Sequence, residues 1–282
     1  MSLQVAGGRV LTRHGWIHGD VVIERETIVS VGSPPKPAGE EDAPPPERLD
    51  AAGLMVVPGF IDLQINGGFG HDFTSRPEAI WGVGAALTRH GVTAFLPTLV
   101  SCPQSMVNRA MDALKAGPPE GFSGARPLGL HCEGPMLAQQ RRGAHEPRYL
   151  VAPSLGVIEG WTPASGVRMV TTAPELPGAD AVIRELVDRG IVVSAGHSDA
   201  TFEEASKSFD VGVRGGTHLF NAMRPFHHRE PGLAGALLAR PDVIASLIVD
   251  GIHVHPGAIA AAWGAKGPDG LALVTDAIAV MG

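Results

Sequence analysis

Eight short apolar segments recur between residues 60 and 275, and helix-compatible stretches separate them. The apolar segments are residues 60–65, 93–98, 127–133, 167–172, 191–197, 213–218, 243–249 and 271–275. The helix-compatible stretches include residues 79–90, 105–116, 179–189, 201–209 and 257–265. Apolar strands that alternate with helices are typical of a parallel sheet covered on both faces, and eight such units predict an α/β fold with a closed (β/α)8 barrel. An open doubly wound sheet is the alternative, but no glycine-rich phosphate loop of Rossmann or Walker type follows an early strand.

The residues before the first barrel strand have a different pattern. Residues 3–32 alternate short apolar runs with glycine and polar turns, which predicts a small antiparallel sheet. Residues 33–46 are rich in proline, glutamate and alanine and lack periodicity, so we expect an exposed linker there. We therefore predict two domains, a small β domain over residues 1–57 and the barrel over residues 58–282.

The overall composition narrows the classes of partner. A net charge of -7 and a pI near 5.9 argue against general binding to nucleic acid or to an anionic membrane. The two cysteines, Cys102 and Cys132, provide no disulfide framework. No apolar run approaches the roughly 20 residues of a membrane span, and the first residues lack a signal-peptide core. We therefore expect a cytoplasmic protein that binds a small molecule, with no nucleic-acid or membrane partner.

Polar residues gather at the carboxyl ends of the predicted strands. In a closed barrel these ends meet at one mouth, where active sites form, so residues far apart in the sequence become neighbours. The residues at or just beyond these ends are Asp62, Gln64, Glu133, Glu175, His197, His218, Asp250, His253 and Asp276.

Three of these residues form a set of metal ligands. In the segment 131–133, strand alternation places His131 and Glu133 on one side and turns Cys132 away. Glu133, His197 and His218 then make a Glu/His/His set, the kind that holds a catalytic divalent metal ion and leaves a position open for water. The pattern therefore favours a metal-dependent hydrolase.

An ordered series of short motifs resembles the amidohydrolase superfamily, and within it the N-acetylglucosamine-6-phosphate deacetylase family. The motifs are PGFID at 58–62, HCEGP at 131–135, GAH at 143–145, GHS at 196–198, THLFNAM at 217–223, DGIH at 250–253 and TDA at 275–277. Each motif alone is weak evidence, but the set spans most of the chain in the order of the family.

The resemblance implies a TIM-like barrel with a small β-sandwich domain that is made from both ends of the chain. Because the sequence ends at Gly282, six residues after Asp276, we expect the C-terminal part to be missing. The implied reaction is metal-dependent hydrolysis of the acetamide of N-acetyl-D-glucosamine 6-phosphate, which gives D-glucosamine 6-phosphate and acetate.

The resemblance also gives roles to individual residues at the barrel mouth. Glu133, His197 and His218 would bind one divalent metal ion, with zinc as the expected metal. Asp276 would act as general base and then as general acid. His145 would donate a hydrogen bond to the developing oxyanion. The family's first barrel strand often ends in His-x-His, which supplies a second metal position. Here the corresponding residues are Gln64 and Asn66, whose neutral amides are poor ligands for a transition metal, so one metal is expected.

A further set of residues would bind the substrate, and Arg229 and His253 would bind its phosphate. The implied substrate-binding residues are Ala144, His145, Asn221, Ala222, Arg229, Asp250, Gly251, Ile252 and His253. In such enzymes a neighbouring subunit can complete the phosphate site, so a homodimer is expected.

Three other functions remain open from the sequence. The chain could act on the galactosamine epimer, and nothing in the sequence separates the two epimers. It could be another amidohydrolase such as a cyclic imidase, although the residues suited to phosphate argue against that class. It could also be an inactive fragment that binds a sugar phosphate, but such a module has no need for both a metal set and Asp276.

Overall fold

The computed structural model describes residues 2–32 and 46–282, which fall into two compact units, Met1–Gly59 and Phe60–Gly282. The linker predicted over residues 33–46 lies, apart from its last residue, outside the described residues. Within the described ranges, no helix is long and apolar enough to cross a membrane.

Within residues 2–32 and 46–59, the first unit forms a five-stranded sheet. Its strands are β1 (Ser2–Thr12), β2 (Gly15–Glu24), β3 (Thr27–Gly32), β4 (Glu47–Asp50) and β5 (Met55–Val56). The strand order is β3-β2-β1-β4, and β5 also pairs with β1. The first three strands are antiparallel, as the alternation of residues 3–32 predicts, and β4 and β5 run parallel to β1. β1 has a bulge between Val5 and Gly8 and continues on both sides of it. Gly7 adopts the positive φ of +74° within this bulge, which a glycine can do without strain.

The second unit contains eight parallel strands in a nearly closed barrel, which confirms the predicted architecture over an open doubly wound sheet. The strands of this unit are β6 (Phe60–Ile65), β7 (Gly67–Gly68), β8 (His71–Asp72), β9 (Val92–Val100), β10 (Arg126–Pro127), β11 (Leu130–Glu133), β12 (Val167–Thr172), β13 (Val192–Ala195), β14 (Gly215–Gly216), β15 (Ile244–Ile248) and β16 (Leu271–Val274). β7 and β8 form a separate hairpin, and β10 is a short extension beside β9. The first and last barrel strands meet where the Asp276 N–H donates to the Gln64 carbonyl oxygen at 2.9 Å.

Six α-helices accompany the barrel strands. They are α1 (Ile80–Leu87), α2 (Gln104–Lys115), α3 (Ala179–Asp188), α4 (Phe202–Val211), α5 (Gly232–Ala239) and α6 (Pro256–Lys266). Short 3-10 turns lie at Pro77–Ala79, Thr88–His90, Gln139–Arg141 and Pro147–Tyr149. In α3 the apolar residues Val182, Ile183 and Leu186 are fully buried against the core, as an amphipathic helix requires. Helix α5 is buried along most of its length and has no polar face. Its sequence therefore shows no helical alternation of apolar and polar residues.

Replacing Thr201 with alanine is expected to lower the free energy of unfolding by about 1 kcal/mol. Thr201 Oγ1 accepts the Glu204 N–H at 3.2 Å, and Glu204 Oε2 accepts the Thr201 N–H at 2.8 Å, which together form a capping box at the start of α4. Urea unfolding followed by circular dichroism measures the change. Thr201→Ser keeps the hydroxyl and serves as the control; an equal loss in both variants would contradict the capping role.

Strands β13 and β14 are shorter than the segments 191–197 and 213–218 that were predicted for them. His197 has φ 49° and His218 has φ 34°, so the backbone leaves the extended conformation before each histidine. Between the two strands, a Cβ on Gly196 would lie 2.7 Å from Thr217 Cβ, so only glycine fits there. The two histidines therefore project from turns rather than from the strands themselves.

Candidate metal centre and active site

Glu133, His197 and His218 meet at the carboxyl ends of three barrel strands. Glu133 ends β11, and the two histidines follow β13 and β14. Each residue is at most 5% exposed, and their ligand atoms all lie within 4.8 Å of one another. Glu133 Oε1 lies 3.1 Å from His197 Nε2 and 3.0 Å from His218 Nε2, and the two nitrogens are 3.1 Å apart. Three side chains that are far apart in the sequence are thus gathered at one point.

The hydrogen bonding around His197 indicates what this point can hold. His197 Nδ1 donates to the Arg141 carbonyl oxygen at 2.8 Å, so in the neutral ring the lone pair lies on Nε2. Burial alone would raise the pKa of Glu133, but its contacts with His197 and His218 lower that pKa well below the usual range. A nitrogen lone pair and an ionised carboxylate repel each other unless a cation or an added proton lies between them. The donor set therefore fits a divalent metal ion, with a backbone carbonyl orienting one imidazole.

Asp276 lies beside this set, directly after β16. Its backbone is in the left-handed region, with φ 50°, which turns the carboxylate toward the barrel mouth. Burial, and then the negative charge of Glu133, raise the pKa of Asp276. A carboxyl group with a raised pKa can exchange a proton more readily near neutral pH.

His145 presents an N–H group to the same region. The Ser101 N–H donates to His145 Nδ1 at 3.1 Å, so the proton of the neutral ring is on Nε2. His145 Nε2 lies 3.8 Å from Glu133 Oε2, and the ring packs edge-on to His197 with centroids 4.4 Å apart. Burial lowers the pKa of His145 to about 4, so the ring is neutral at pH 7. His145 is therefore a hydrogen-bond donor rather than a cation.

A cavity of about 750 Å³ connects these groups. Its wall includes Glu133, His197, His218 and Asp276. Six of the nine residues implied for substrate binding also line it, namely Ala144, His145, Asn221, Ala222, Asp250 and His253. Asp72, in the β7–β8 hairpin, also lines the cavity, and no pattern in the sequence predicted this.

The other three implied substrate residues, Arg229, Gly251 and Ile252, do not line this cavity. Ile252 is 85% exposed, because Asp250 Oδ1 accepts the N–H groups of Ile252 and His253 and so forms a turn that directs Ile252 outward. Arg229 lies in an exposed loop, where its backbone N–H donates to His227 Nδ1 at 3.3 Å. Its guanidinium therefore does not contribute to the cavity wall of this chain.

Several polar residues support the site from behind, and three of them, Arg141, Asp199 and Arg224, were not identified from the sequence. Arg141, whose carbonyl oxygen orients His197, is held by Asp199 Oδ1 at 2.8 Å, and Asp199 Oδ2 accepts from Arg224 at 3.1 Å. The strand-end carboxylate Glu175 accepts from the Ser198 hydroxyl at 2.7 Å and from the Asp199 N–H at 2.6 Å. This carboxylate therefore stabilises the turn around the metal-ligand set rather than facing the cavity.

Acidification is expected to destabilise the fold through His131, which is fully buried below Glu133. Its Nδ1 lies 3.2 Å from the Leu63 carbonyl oxygen, and its Nε2 lies 2.7 Å from Thr171 Oγ1. Burial lowers the pKa of His131 to about 4, whereas an unfolded histidine has a pKa near 6.5. The stabilising contribution is complete above pH 6.5 and is lost as the pH falls toward 4, about 2 kcal/mol of it by pH 5.

Urea unfolding at pH 7.5 and pH 5, compared with His131→Gln, measures this contribution. The variant should lose less stability on acidification than the parent chain, and the exposed His90→Gln should lose as much as the parent. Equal losses in the parent chain and in His131→Gln would exclude His131 as the cause.

Comparisons with known proteins agree with this arrangement. The model of the amidohydrolase family matches residues 55–277. An N-acetylglucosamine-6-phosphate deacetylase from Danio rerio is 40% identical over 99% of this chain and 71% of its own length. The crystal structure of such a deacetylase from Pasteurella multocida matches with a TM-score of 0.87 at 30% identity, over 99% of this chain and 72% of that one.

A second solved structure is of a mutant N-acetyl-D-glucosamine-6-phosphate deacetylase from Mycobacterium smegmatis in complex with N-acetyl-D-glucosamine-6-phosphate. It matches with a TM-score of 0.85 at 37% identity, over 99% of this chain and 71% of that one. The family model covers more than half of the chain, and the barrel carries its polar residues at the mouth. The chain belongs to the amidohydrolase family.

Proposed function

We propose that this chain hydrolyses the acetamide of N-acetyl-D-glucosamine 6-phosphate to D-glucosamine 6-phosphate and acetate. One observation carries the proposal. This chain is 40% identical to an N-acetylglucosamine-6-phosphate deacetylase, and one of its cavities holds the Glu/His/His set, the carboxylate of Asp276 and the neutral imidazole of His145. These are the groups that hydrolysis of an amide requires.

Each of these groups has a task in the reaction. A bound divalent metal ion would supply Lewis acidity toward the amide carbonyl and the attacking water. Asp276 takes a proton from that water as the C–O bond forms, and returns it to the amide nitrogen as the C–N bond breaks. His145 Nε2–H donates a hydrogen bond to the carbonyl oxygen while negative charge develops there. One carboxylate thus serves as base and then as acid.

We assign one metal ion to Glu133, His197 and His218, with zinc as the expected metal because imidazole and carboxylate are its ligands. The side chains of Gln64 and Asn66 argue against a second metal ion beside this one. Their amide nitrogens, which have no lone pair to offer a metal, are the atoms that face Glu133 and Asp276.

The phosphate requires cationic or N–H donors, because a dianion is costly to bind in an acidic protein. Asn221, Ala222 and His253 line the cavity and supply part of this site. Arg229 lies outside the cavity of its own chain and is exposed. We therefore assign Arg229 to the phosphate site of a second copy, in a homodimer where each chain completes the site of the other.

Replacing Arg229 with leucine is expected to lower kcat/KM for the phosphorylated sugar about 10- to 100-fold, since a charge-assisted hydrogen bond contributes roughly 1.5–3 kcal/mol. The unphosphorylated sugar should be turned over equally by both proteins. Arg184→Leu on the exposed face of α3 is the matched control. Equal losses on both sugars would remove Arg229 from the phosphate site.

The proposed function itself is tested by measuring bound zinc and acetate release together. N-Acetylglucosamine 6-phosphate is the substrate, and unphosphorylated N-acetylglucosamine is the comparison. We expect one zinc ion per chain, with acetate and free amine released in equal amounts from the phosphorylated sugar. A zinc-loaded chain that releases no acetate would refute the proposal.

A further inference from the structure

The side chains of Gln64 and Asn66 lie directly against the carboxylate of Asp276. Gln64 is 1% exposed and Asn66 is 5% exposed. Asn66 Nδ2 donates to Asp276 Oδ1 at 2.7 Å. Gln64 Nε2 donates to the same oxygen at 3.1 Å and to Glu133 Oε1 at 2.9 Å. Two buried amides therefore converge on one oxygen of the proposed base.

The orientation of both amides follows from these contacts. If either amide were reversed, its carbonyl oxygen would face a carboxylate oxygen at about 3 Å, which is repulsive. In the orientation present, Gln64 Oε1 and Asn66 Oδ1 have no hydrogen-bond partner among residues 2–32 and 46–282. Burial of unpaired oxygens is unfavourable, so the N–H groups determine how the amides are placed.

The two amides make the oxygens of Asp276 unequal. A carboxylate oxygen has two lone pairs, and both lone pairs of Oδ1 accept an N–H group. Protonation at Oδ1 would require one of these hydrogen bonds to break. No residue in the described part of the chain donates to Asp276 Oδ2, which remains free to bind a proton.

We propose that Gln64 and Asn66 are positioning residues that hold Asp276 Oδ1 as an acceptor and make Oδ2 the oxygen that takes and returns the proton. Gln64 has a second task, since its other N–H orients Glu133 within the metal-ligand set. The inference rests on the proposed deacetylation, because it assigns the proton path of that reaction.

The contacts predict different behaviour for the two residues. Asn66 donates to Asp276 and not to Glu133, whereas Gln64 donates to both. Loss of the Asn66 amide should therefore affect proton transfer alone. Loss of the Gln64 amide should affect proton transfer and metal affinity, since groups that orient metal ligands contribute to affinity.

Asn66→Leu and Gln64→Leu test these predictions, with the exposed Asn108→Leu as the matched control. Each test variant should lower kcat for acetate release about 10- to 100-fold and leave KM within about twofold of the parent. Zinc titration against a chromophoric chelator should give an unchanged Kd for Asn66→Leu and a Kd raised about 10-fold for Gln64→Leu. In an Asp276→Asn background, Asn66→Leu should change the residual kcat by less than about threefold, because the two residues act as one unit.

Two results would overturn the inference. One is an equal rise in zinc Kd for both variants, and the other is the same loss of kcat from Asn66→Leu with and without Asp276. The zinc titrations need no turnover, so they distinguish this inference from the proposed function. If the parent chain releases no acetate, the deacetylation is refuted, while an unequal rise in zinc Kd still supports the placement of the amides.

Discussion

Replacing Asp276 with asparagine is expected to lower kcat for acetate release about 1,000-fold, while bound zinc stays at one ion per chain. Asparagine has nearly the shape of aspartate and can still accept the N–H groups of Gln64 and Asn66 at its oxygen. It cannot take a proton from water or return one to the leaving amine. Because Asp276 is not part of the Glu/His/His set, the metal content should not change.

Acetate release and zinc content, measured on the same preparation, provide the test. Asp112→Asn on the exposed face of α2 is the matched control and should behave as the parent chain. If Asp276→Asn keeps kcat within about tenfold of the parent, another group performs the proton transfers, since these contribute at least about 100-fold.

Replacing Glu133 with glutamine is expected to weaken zinc binding by more than about 100-fold and to abolish acetate release. Residues that only orient metal ligands contribute roughly 10- to 100-fold to metal affinity, and a direct ligand contributes more. Glu133 Oε1 lies within about 3 Å of both imidazole nitrogens. The substitution removes the negative charge that offsets the charge of a divalent ion.

The zinc Kd from chelator competition and the zinc content after dialysis measure this loss. The matched control is Glu185→Gln on α3, where Glu185 accepts from Arg189 at the surface. A Glu133→Gln protein that retains the zinc Kd of the parent would show that the metal binds elsewhere. Urea unfolding of the metal-free proteins separates loss of the ligand from loss of the fold.

The barrel and the metal-ligand set could be predicted because both depend on side chains in a repeating pattern. Apolar strands alternate with helices. Glu133 ends one strand, and His197, His218 and Asp276 follow three others. The barrel geometry then brings strand ends together, whatever their separation in the sequence. Side-chain chemistry at the ends of predictable elements is therefore accessible from the sequence.

Other parts of the site could not be predicted, because they depend on backbone atoms or on exact turns. The N–H of Ser101 selects the tautomer of His145, and the carbonyl oxygen of Arg141 selects that of His197. Any residue type has these backbone groups, so the sequence gives no signal for them. The family resemblance implies a substrate-binding role for Arg229, but its side chain lies outside the cavity, because the conformation of an exposed loop cannot be read from the sequence around it.

The left-handed backbone of His197, His218 and Asp276 has a consequence for the evolution of the chain. Each residue occupies a conformation that costs of order 1–3 kcal/mol for a side chain of its kind. Glycine adopts that conformation without a steric penalty, and Asn at position 276 would avoid burying a charge. Where no metal ion is bound, laboratory selection for thermal tolerance alone would therefore enrich chains that have lost these three side chains, whereas a bound ion would stabilise the chains that keep its ligands. Heat-resistant descendants that still turn over substrate must gain their stability elsewhere in the barrel.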